Sequence, residues 1–356
     1  MGSATFCYTI FFIETIQSGT IQEISYVTNL LFTFYGSVLK SFWLLKNFQK
    51  IKEMLNDLKI ITKVHKFNEG EKKCLKHLRI DRVVKVVKIY FSAAFVTGLM
   101  GTLNALIKYN EKEIMFETWW FFDYKASIIH YWTIFIYQHL FLAYIVVIAC
   151  STESILILFM NTTTALIDDL IVEIKLWKHN PIKKILRQKV FFKNSQDYHA
   201  LKKLEIAMEY HLKIKKIVED ISKHISFVFF VQTFISSIVI CGSVFLMTVL
   251  SQKHETSDFF RTAVFGCLMT FQIFLPCYYG NELSVASDKI LSTLFHSDWV
   301  SSSQKYKNSL KIFLENTKRT IKVRSFKIVN IDFETYTTIM NAAYSLYALM
   351  NKINQK

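Results

Sequence analysis

Two histidines nine residues apart, His130 and His139, come nearest in type and spacing to a reactive or metal-binding pair. Both lie inside one uncharged run, where an imidazole serves more often as a polar anchor or cavity lining than as a metal ligand. The sequence contains no HExxH, GxSxG or CxxC motif, and its nine glycines form no nucleotide-binding pattern. We therefore expect no enzyme, no metal site and no cofactor.

The composition is that of a membrane protein. Of the 356 residues, 52% are apolar or aromatic, only 20% are charged and two are proline. The mean hydropathy is +0.26. The six cysteines are sparse and mostly lie in apolar runs, which excludes a disulfide scaffold, and the apolar content excludes disorder. The sequence predicts an all-α polytopic membrane protein embedded in a lipid bilayer.

Runs of about twenty uncharged residues can cross the hydrocarbon core of a bilayer as helices. The runs in this sequence predict seven transmembrane helices that form a single unit over residues 1–356. Lys40 lies near the end of the second span, where its side chain is expected to reach the membrane interface. The predicted spans are about 4–17, 24–45, 86–107, 126–152, 226–250, 259–281 and 334–351.

The first predicted span, 4–17, is too short to cross a membrane comfortably. A secretory signal peptide is the rival interpretation, but no lysine or arginine precedes Lys40, so the basic n-region is missing. We expect that this span is truncated and that its N-terminal half would precede Met1. A complete upstream transcript without further apolar residues would contradict this expectation.

Basic residues concentrate in three long connections, 46–85, 158–225 and 284–331, which together hold 34 of the 43 lysines and arginines. Cationic loops remain cytoplasmic, so the N-terminus is predicted to be cytoplasmic and the C-terminus extracellular. A G-protein-coupled receptor has the opposite orientation. The net charge of +15 is thereby explained by topology, and no nucleic-acid partner is expected.

Two of these connections, 158–225 and 284–331, are predicted to be helical anchor segments at the cytoplasmic side. Apolar residues such as Leu166, Leu170 and Ile174 recur there at helical spacing. Such faces either pack against one another, which we favour, or lie on the anionic inner leaflet as peripheral amphipathic helices.

Polar, aromatic and methionine side chains in the outer halves of the spans predict a cavity for a small, volatile, mostly apolar ligand. Ordinary helix packing is the alternative interpretation for each of these residues. The candidate ligand-binding residues are Tyr26, Asn29, Thr33, Met100, Gly101, Asn104, Tyr131, Phe135, His139, Phe245 and Met247.

The C-terminal quarter carries a recognisable series of motifs. Residues 278–283 read YYGNEL, 297–299 read SDW, and 335–350 read TYTTIMNAAYSLYALM. This series closely resembles the insect odorant receptor family, and the chain from about residue 21 fits the family's spacing of spans. Gustatory receptors are the nearest rival, because Thr335 and Tyr336 are similar to the start of their signature, but the Gln-Phe that ends it is absent.

The resemblance implies a ligand-tuning subunit of an odorant-gated, non-selective cation channel. Members assemble with a shared co-receptor as a hetero-tetramer and detect small volatile odorants at the plasma membrane, here expected in the dendrites of olfactory sensory neurons. A gustatory-type chemoreceptor, or a truncated non-functional receptor copy, is the alternative. On the family pattern the last helix lines the pore, and the implied pore residues are Ser345, Leu349, Lys352 and Ile353.

Overall fold

The computed structural model describes residues 2–64, 69–107, 112, 114–178, 193–253, 256–300 and 302–354. Side chains of several helical residues beside the gaps, including 62–64, 69–78 and 193–197, lie outside the description. The described chain forms eight α-helices and one short antiparallel hairpin. The elements are α1 Gly2–Ser18, α2 Ile21–Val64, α3 Glu69–Ile107, α4 Ile128–Lys178, α5 Lys193–Gln252, α6 Thr256–Phe295, α7 Gln304–Thr317, β1 Arg324–Ser325, β2 Val329–Asn330 and α8 Phe333–Asn354.

The fold confirms the predicted all-α membrane architecture. Each predicted span lies largely within a helix of its own, and α7 is the additional helix, inside the basic connection 284–331. Four of the described helices contain windows long and apolar enough to cross a membrane: Asp81–Leu103, Ile128–Trp177, Tyr198–Gln252 and Thr256–Phe295. The exact limits of all seven spans stay predictions.

The central helices are much longer than a bilayer requires. Helix α4 has 51 residues and α5 has 60, whereas about 20 cross the hydrocarbon core. Both continue beyond the predicted spans into the connection 158–225, which is therefore largely helical. The predicted break at Asn180-Pro181 lies outside the described residues.

The largest apolar core lies at the end of the bundle that carries these extensions, here called the basic end. Leu166, Leu170 and Ile174 of α4 are buried there with Leu204 and Ile214 of α5 in one continuous cluster. Residues of α2, α3, α6, α7 and α8 and of the segment between α7 and α8 also belong to it. The helical extensions thus pack against one another, as favoured from their sequence pattern.

The segment before α8 is tied to the bundle by hydrogen bonds. The Ser325 hydroxyl donates to the carbonyl of Ser226 at 2.8 Å, and the Ile321 N–H donates to Ser287 Oγ at 2.9 Å. At Gly280 a Cβ atom would lie 2.0 Å from the carbonyl oxygen of Ile331, so only glycine permits this close approach. These contacts fix where α8 begins.

An arginine joins three helices at the basic end. Arg79 of α3 lies 2.5 Å from Asp168 of α4 and 3.3 Å from Glu282 of α6. The Tyr278 hydroxyl also donates to Glu282, at 3.2 Å. The planar guanidinium suits two carboxylates at once, so this network holds α3 against α4 and α6.

Candidate functional site

A cavity of about 200 Å³ lies between α2, α3, α4, α5 and α6, with the segment before α4 on one side. Tyr26 and Lys40 mark its extent along α2 and lie about 21 Å apart along the helix axis. The walls are mainly apolar. The apolar lining residues include Leu30, Phe34, Ala94, Met115, Phe116, Leu142, Ile145, Val146, Ile235, Leu246, Phe265, Leu268 and Met269.

Four of the predicted ligand-binding residues line this cavity: Tyr26, Asn29, Thr33 and Gly101. The side chain of Asn104 lies outside the described residues. The remaining candidates are not among the lining residues of this cavity, and these are Met100, Tyr131, Phe135, His139, Phe245 and Met247.

On α4, Tyr131 and Phe135 do not line the cavity because the loop segment before α4 covers this face of the helix. Tyr131 and Phe135 pack with Ile114 in a separate apolar cluster, so they contact protein where a ligand was expected. Farther along α4, His139 lies 2.9 Å from the hydroxyl of Thr102 and 2.7 Å from the carbonyl of Phe135.

On α5 and α3, the candidates do not line the cavity because they lie on other faces of their helices. Leu246 and Gly101 line the cavity, and successive residues of an α-helix point about 100° apart. Phe245 and Met247 therefore flank the lining position on α5, as Met100 does on α3. Phe245 is fully buried in the protein.

The loop segment before α4 forms part of the cavity wall. Met115 and Phe116 both line the cavity. Gln138 of α4 holds this segment, because its amide accepts from the Phe116 N–H at 3.3 Å and donates to the Phe116 carbonyl at 2.7 Å. A Cβ at Gly101 would lie 2.4 Å from Met115 Cε, so the glycine leaves room for the methionine.

One end of the cavity carries the polar side chains nearest the start of α6. The guanidinium of Arg261 lies 5.6 Å from the ring centre of Tyr26 and forms an ion pair with Asp258 at 3.1 Å. Asn29 packs against Gly242, where a Cβ would lie 2.3 Å from Asn29 Oδ1. This end is here called the outer end.

At the opposite end, here called the inner polar end, a buried charged pair crosses between helices. Lys40 Nζ lies 3.2 Å from Glu153 Oε1, and Gln272 Nε2 donates to the same oxygen at 3.2 Å. The expectation that Lys40 reaches the membrane interface is wrong: the residue is 4% exposed, because Glu153 provides an internal counter-charge.

Helix α8 buries one face and exposes another. Ile339 and Ala343 are buried, whereas Ser345 is exposed and Leu349 is 56% exposed. Of the two other predicted pore residues, Lys352 is exposed and the side chain of Ile353 lies outside the described residues. The predicted pore positions that the structure describes therefore share the uncovered side of α8.

A bundle of membrane-length helices around a mainly apolar cavity defines a polytopic helical membrane protein. A sequence model described as 7tm Odorant receptor matches residues 20–344, and the chain therefore belongs to that family. The family is one of receptors and not of enzymes.

Individual relatives agree with this membership, and a solved structure shares the fold. Odorant receptor 33a of Drosophila melanogaster is 23% identical over 86% of this chain and 76% of its own length. Odorant receptor 94a of the same species is 24% identical, but over only 40% of this chain and 37% of its own length. The structure of the insect olfactory receptor OR5 from Machilis hrabei superposes with a TM-score of 0.75 at 15% identity. That match covers 98% of this chain and 85% of OR5, and OR5 has also been solved in complex with eugenol.

Proposed function

We propose that this chain is the ligand-tuning subunit of an odorant-gated, non-selective cation channel that it forms with the shared co-receptor. The observation that supports the proposal most is the mainly apolar cavity of about 200 Å³ between the helices. A dry cavity of about 150 Å³ holds benzene in another protein, so this one suits a slightly larger volatile molecule. OR5 in complex with eugenol is a structural neighbour whose ligand is of this size class.

The proposed orientation follows from charge. The basic end carries most of the 34 lysines and arginines of the three long connections and faces the cytoplasm. The N-terminus is then cytoplasmic, the C-terminus extracellular, and the outer end of the cavity lies nearer the outside. The membrane is the plasma membrane of olfactory sensory neuron dendrites, where volatile ligands arrive.

Helix α5 connects the cavity to the pore-lining helix. Ser243 and Leu246 line the cavity, and Thr248, two residues after Leu246, lies 3.2 Å from the hydroxyl of Tyr347 in α8. Cys241 contacts Met350 of α8 at 3.5 Å. A ligand that binds the open state more tightly than the closed state shifts α5, and with it α8, towards the open state.

The proposed pore face consists of Ser345, Leu349, Lys352 and Ile353. Leu349 and Ile353 form a hydrophobic constriction that conducts when the α8 helices of the tetramer separate and water enters. Lys352, near the extracellular end of α8, lies in the outer vestibule, where its charge lowers cation conductance.

Recording from cells that express a tagged chain with an insect odorant co-receptor tests the proposal. We expect odorant-evoked cation currents under a panel of volatile esters, ketones, alcohols and phenols. Cells that express only this chain, or only the co-receptor, should give no such currents at the same concentrations. Confirmed surface delivery with no response to any panel member would refute channel function and would favour the non-functional receptor copy.

A further inference from the structure

The inner polar end is unlike the rest of the cavity. Ser37, Lys40, Tyr90, Gln232 and Gln272 all line the cavity. Gln232 belongs to this end because Gly36 of α2 touches Ile235 of α5, which sets the two helices at the same depth. Between this end and the outer end the walls are mainly apolar, and the hydroxyls of the lining residues Thr33 and Thr97 donate to backbone carbonyls of their own helices.

The charged pair at this end is fully enclosed. Lys40 and Gln272 are each 4% exposed and Glu153 is 1% exposed. Glu153 Oε1 accepts from both of the lining side chains, and Glu153 Oε2 is buried without a hydrogen bond from the described part of the chain. The polar groups of this cluster are thus incompletely satisfied by the protein itself.

Stability alone does not account for this pair. Removing two charges from water costs several kcal/mol per ion, and apolar replacements of buried ion pairs are often neutral or stabilising. The pair nevertheless holds two hydrogen-bonding groups at the cavity wall. Lysine has three N–H donors, of which the contact with Glu153 uses one, and Gln272 presents its amide to Glu153 through nitrogen because a carboxylate only accepts.

We propose that the inner polar end binds the oxygen atom of an elongated, neutral odorant, namely an aliphatic ketone, aldehyde, ester or alcohol. The inference rests on the proposed function, since it names the class of ligand that the same cavity takes. The ligand oxygen accepts a hydrogen bond from Lys40 Nζ. The hydrocarbon chain extends towards the outer end along Phe34, Leu142 and Ile145, which line the apolar middle of the cavity.

Charge balance excludes ionic ligands. Lys40 is already neutralised by Glu153, so a carboxylate would add an unbalanced negative charge to a buried site. An ammonium would compete with Lys40 for Glu153 and would leave one cation unpaired. A pure hydrocarbon fits the apolar walls but offers no hydrogen-bond acceptor to Lys40. A neutral oxygen acceptor satisfies both the charge balance and the donor.

The test compares octane with 2-heptanone, which have the same number of non-hydrogen atoms and similar shapes. The tagged full-length chain is co-expressed with the co-receptor, extracted, heated with each compound, and the surviving soluble fraction is measured. Concentrations are compared after correction for each compound's transfer from water into hydrocarbon, because the ketone gives up hydrogen bonds to water that octane never makes. On that scale we expect half-protection of the unaltered chain by 2-heptanone at about one-tenth of the octane concentration, as one charge-assisted hydrogen bond provides. Heptanoate at pH 7 is expected to protect less than 2-heptanone.

The variant Lys40→Met with Glu153→Gln removes both charges and keeps the side-chain volumes similar. We expect it to lose the tenfold preference for the ketone while its response to octane changes less than twofold. The matched control makes the same substitutions in an exposed pair of α2, Lys50→Met with Glu53→Gln, where the ion pair also measures 3.2 Å. This control keeps the preference.

Equal protection by octane and 2-heptanone, or no protection by 2-heptanone, would overturn the inference from the unaltered chain alone, even where the double variant fails to fold. A preference that survives in a folded double variant would overturn it as well. Protection by the ketone without an evoked current would refute the proposed channel function and leave the ligand class standing, so the two failures are distinguishable.

Discussion

Replacing Gln138 by Met removes the two hydrogen bonds that hold the loop segment before α4, and it preserves side-chain length and burial. Gln138 makes both hydrogen bonds to the backbone of Phe116, and both are buried. Without them, one N–H and one carbonyl lose their partners, at a cost of about 1–3 kcal/mol each. The segment is therefore destabilised in its place by about 2–6 kcal/mol, enough to shift its position in most molecules.

The expected result is a loss of ligand sensitivity, because Met115 and Phe116 no longer form the cavity wall. The apparent affinity falls in proportion to the fraction of molecules that keep the wall in place. We expect the half-maximal odorant concentration to rise at least tenfold in currents recorded from cells with matched surface expression. The shift should be largest for ligands that fill the cavity.

Gln138→Glu is a second variant for this prediction. A carboxylate accepts from the Phe116 N–H but cannot donate to the Phe116 carbonyl, and its charge has no partner at this buried position. We expect its half-maximal concentration to rise at least as far as that of Gln138→Met. Unchanged ligand sensitivity of a Gln138→Met receptor that reaches the surface normally would show that these two hydrogen bonds do not hold the cavity wall in place.

Three further changes test the packing at the basic end. Gly280→Ala places a Cβ 2.0 Å from the Ile331 carbonyl and should abolish surface delivery, whereas Gly98→Ala, with its nearest contact at 3.6 Å, should not. Arg79→Ala leaves Asp168 and Glu282 without their shared partner and should destabilise the extracted protein by about 2 kcal/mol, with Arg79→Lys intermediate; an unchanged melting temperature would contradict this. Burial, reinforced by Lys215, lowers the pKa of His211 to about 4, so stability should fall by about 3 kcal/mol as the pH drops from about 6.5 to 4. His211→Phe should flatten that part of the pH profile of the melting temperature, and an equally steep profile in the variant would exclude His211 as its cause.

The helical architecture was accessible from sequence because its signals are local. Apolar runs predict the spans, and the spacing of Leu166, Leu170 and Ile174 predicts a buried helix face at the basic end, which the structure contains. The eventual length of α4 and α5 was not predicted, because helical periodicity alone does not say whether a span and its neighbouring amphipathic segment form one continuous helix.

The site was only partly accessible for the opposite reason, since its contacts join distant parts of the chain. Lys40 and Glu153 are 113 residues apart, and a lysine near the end of an apolar run normally reaches the interface. Opposite charges inside or beside two predicted spans were the available signal for this pair. Met115 and Phe116 belong to an irregular segment, where periodicity gives no indication of which side chains enter a cavity.

The most direct test of the account asks whether the cavity is the odorant site. Ala94 lines the cavity on α3, and Val96, two residues later, is 50% exposed on the outside of the bundle. A phenyl ring occupies most of a cavity of about 150 Å³, so Ala94→Phe fills a large part of this one. Val96→Phe adds the same ring at an exposed position.

The decisive measurement is the concentration dependence of odorant-evoked current in these two variants, each expressed with the co-receptor at equal surface density. The account predicts that Ala94→Phe raises the half-maximal concentration at least tenfold or abolishes the response to the longest active ligands, whereas Val96→Phe stays within twofold of the unaltered chain. Equal and unaltered responses in both variants would show that odorants act elsewhere and would contradict the central claim.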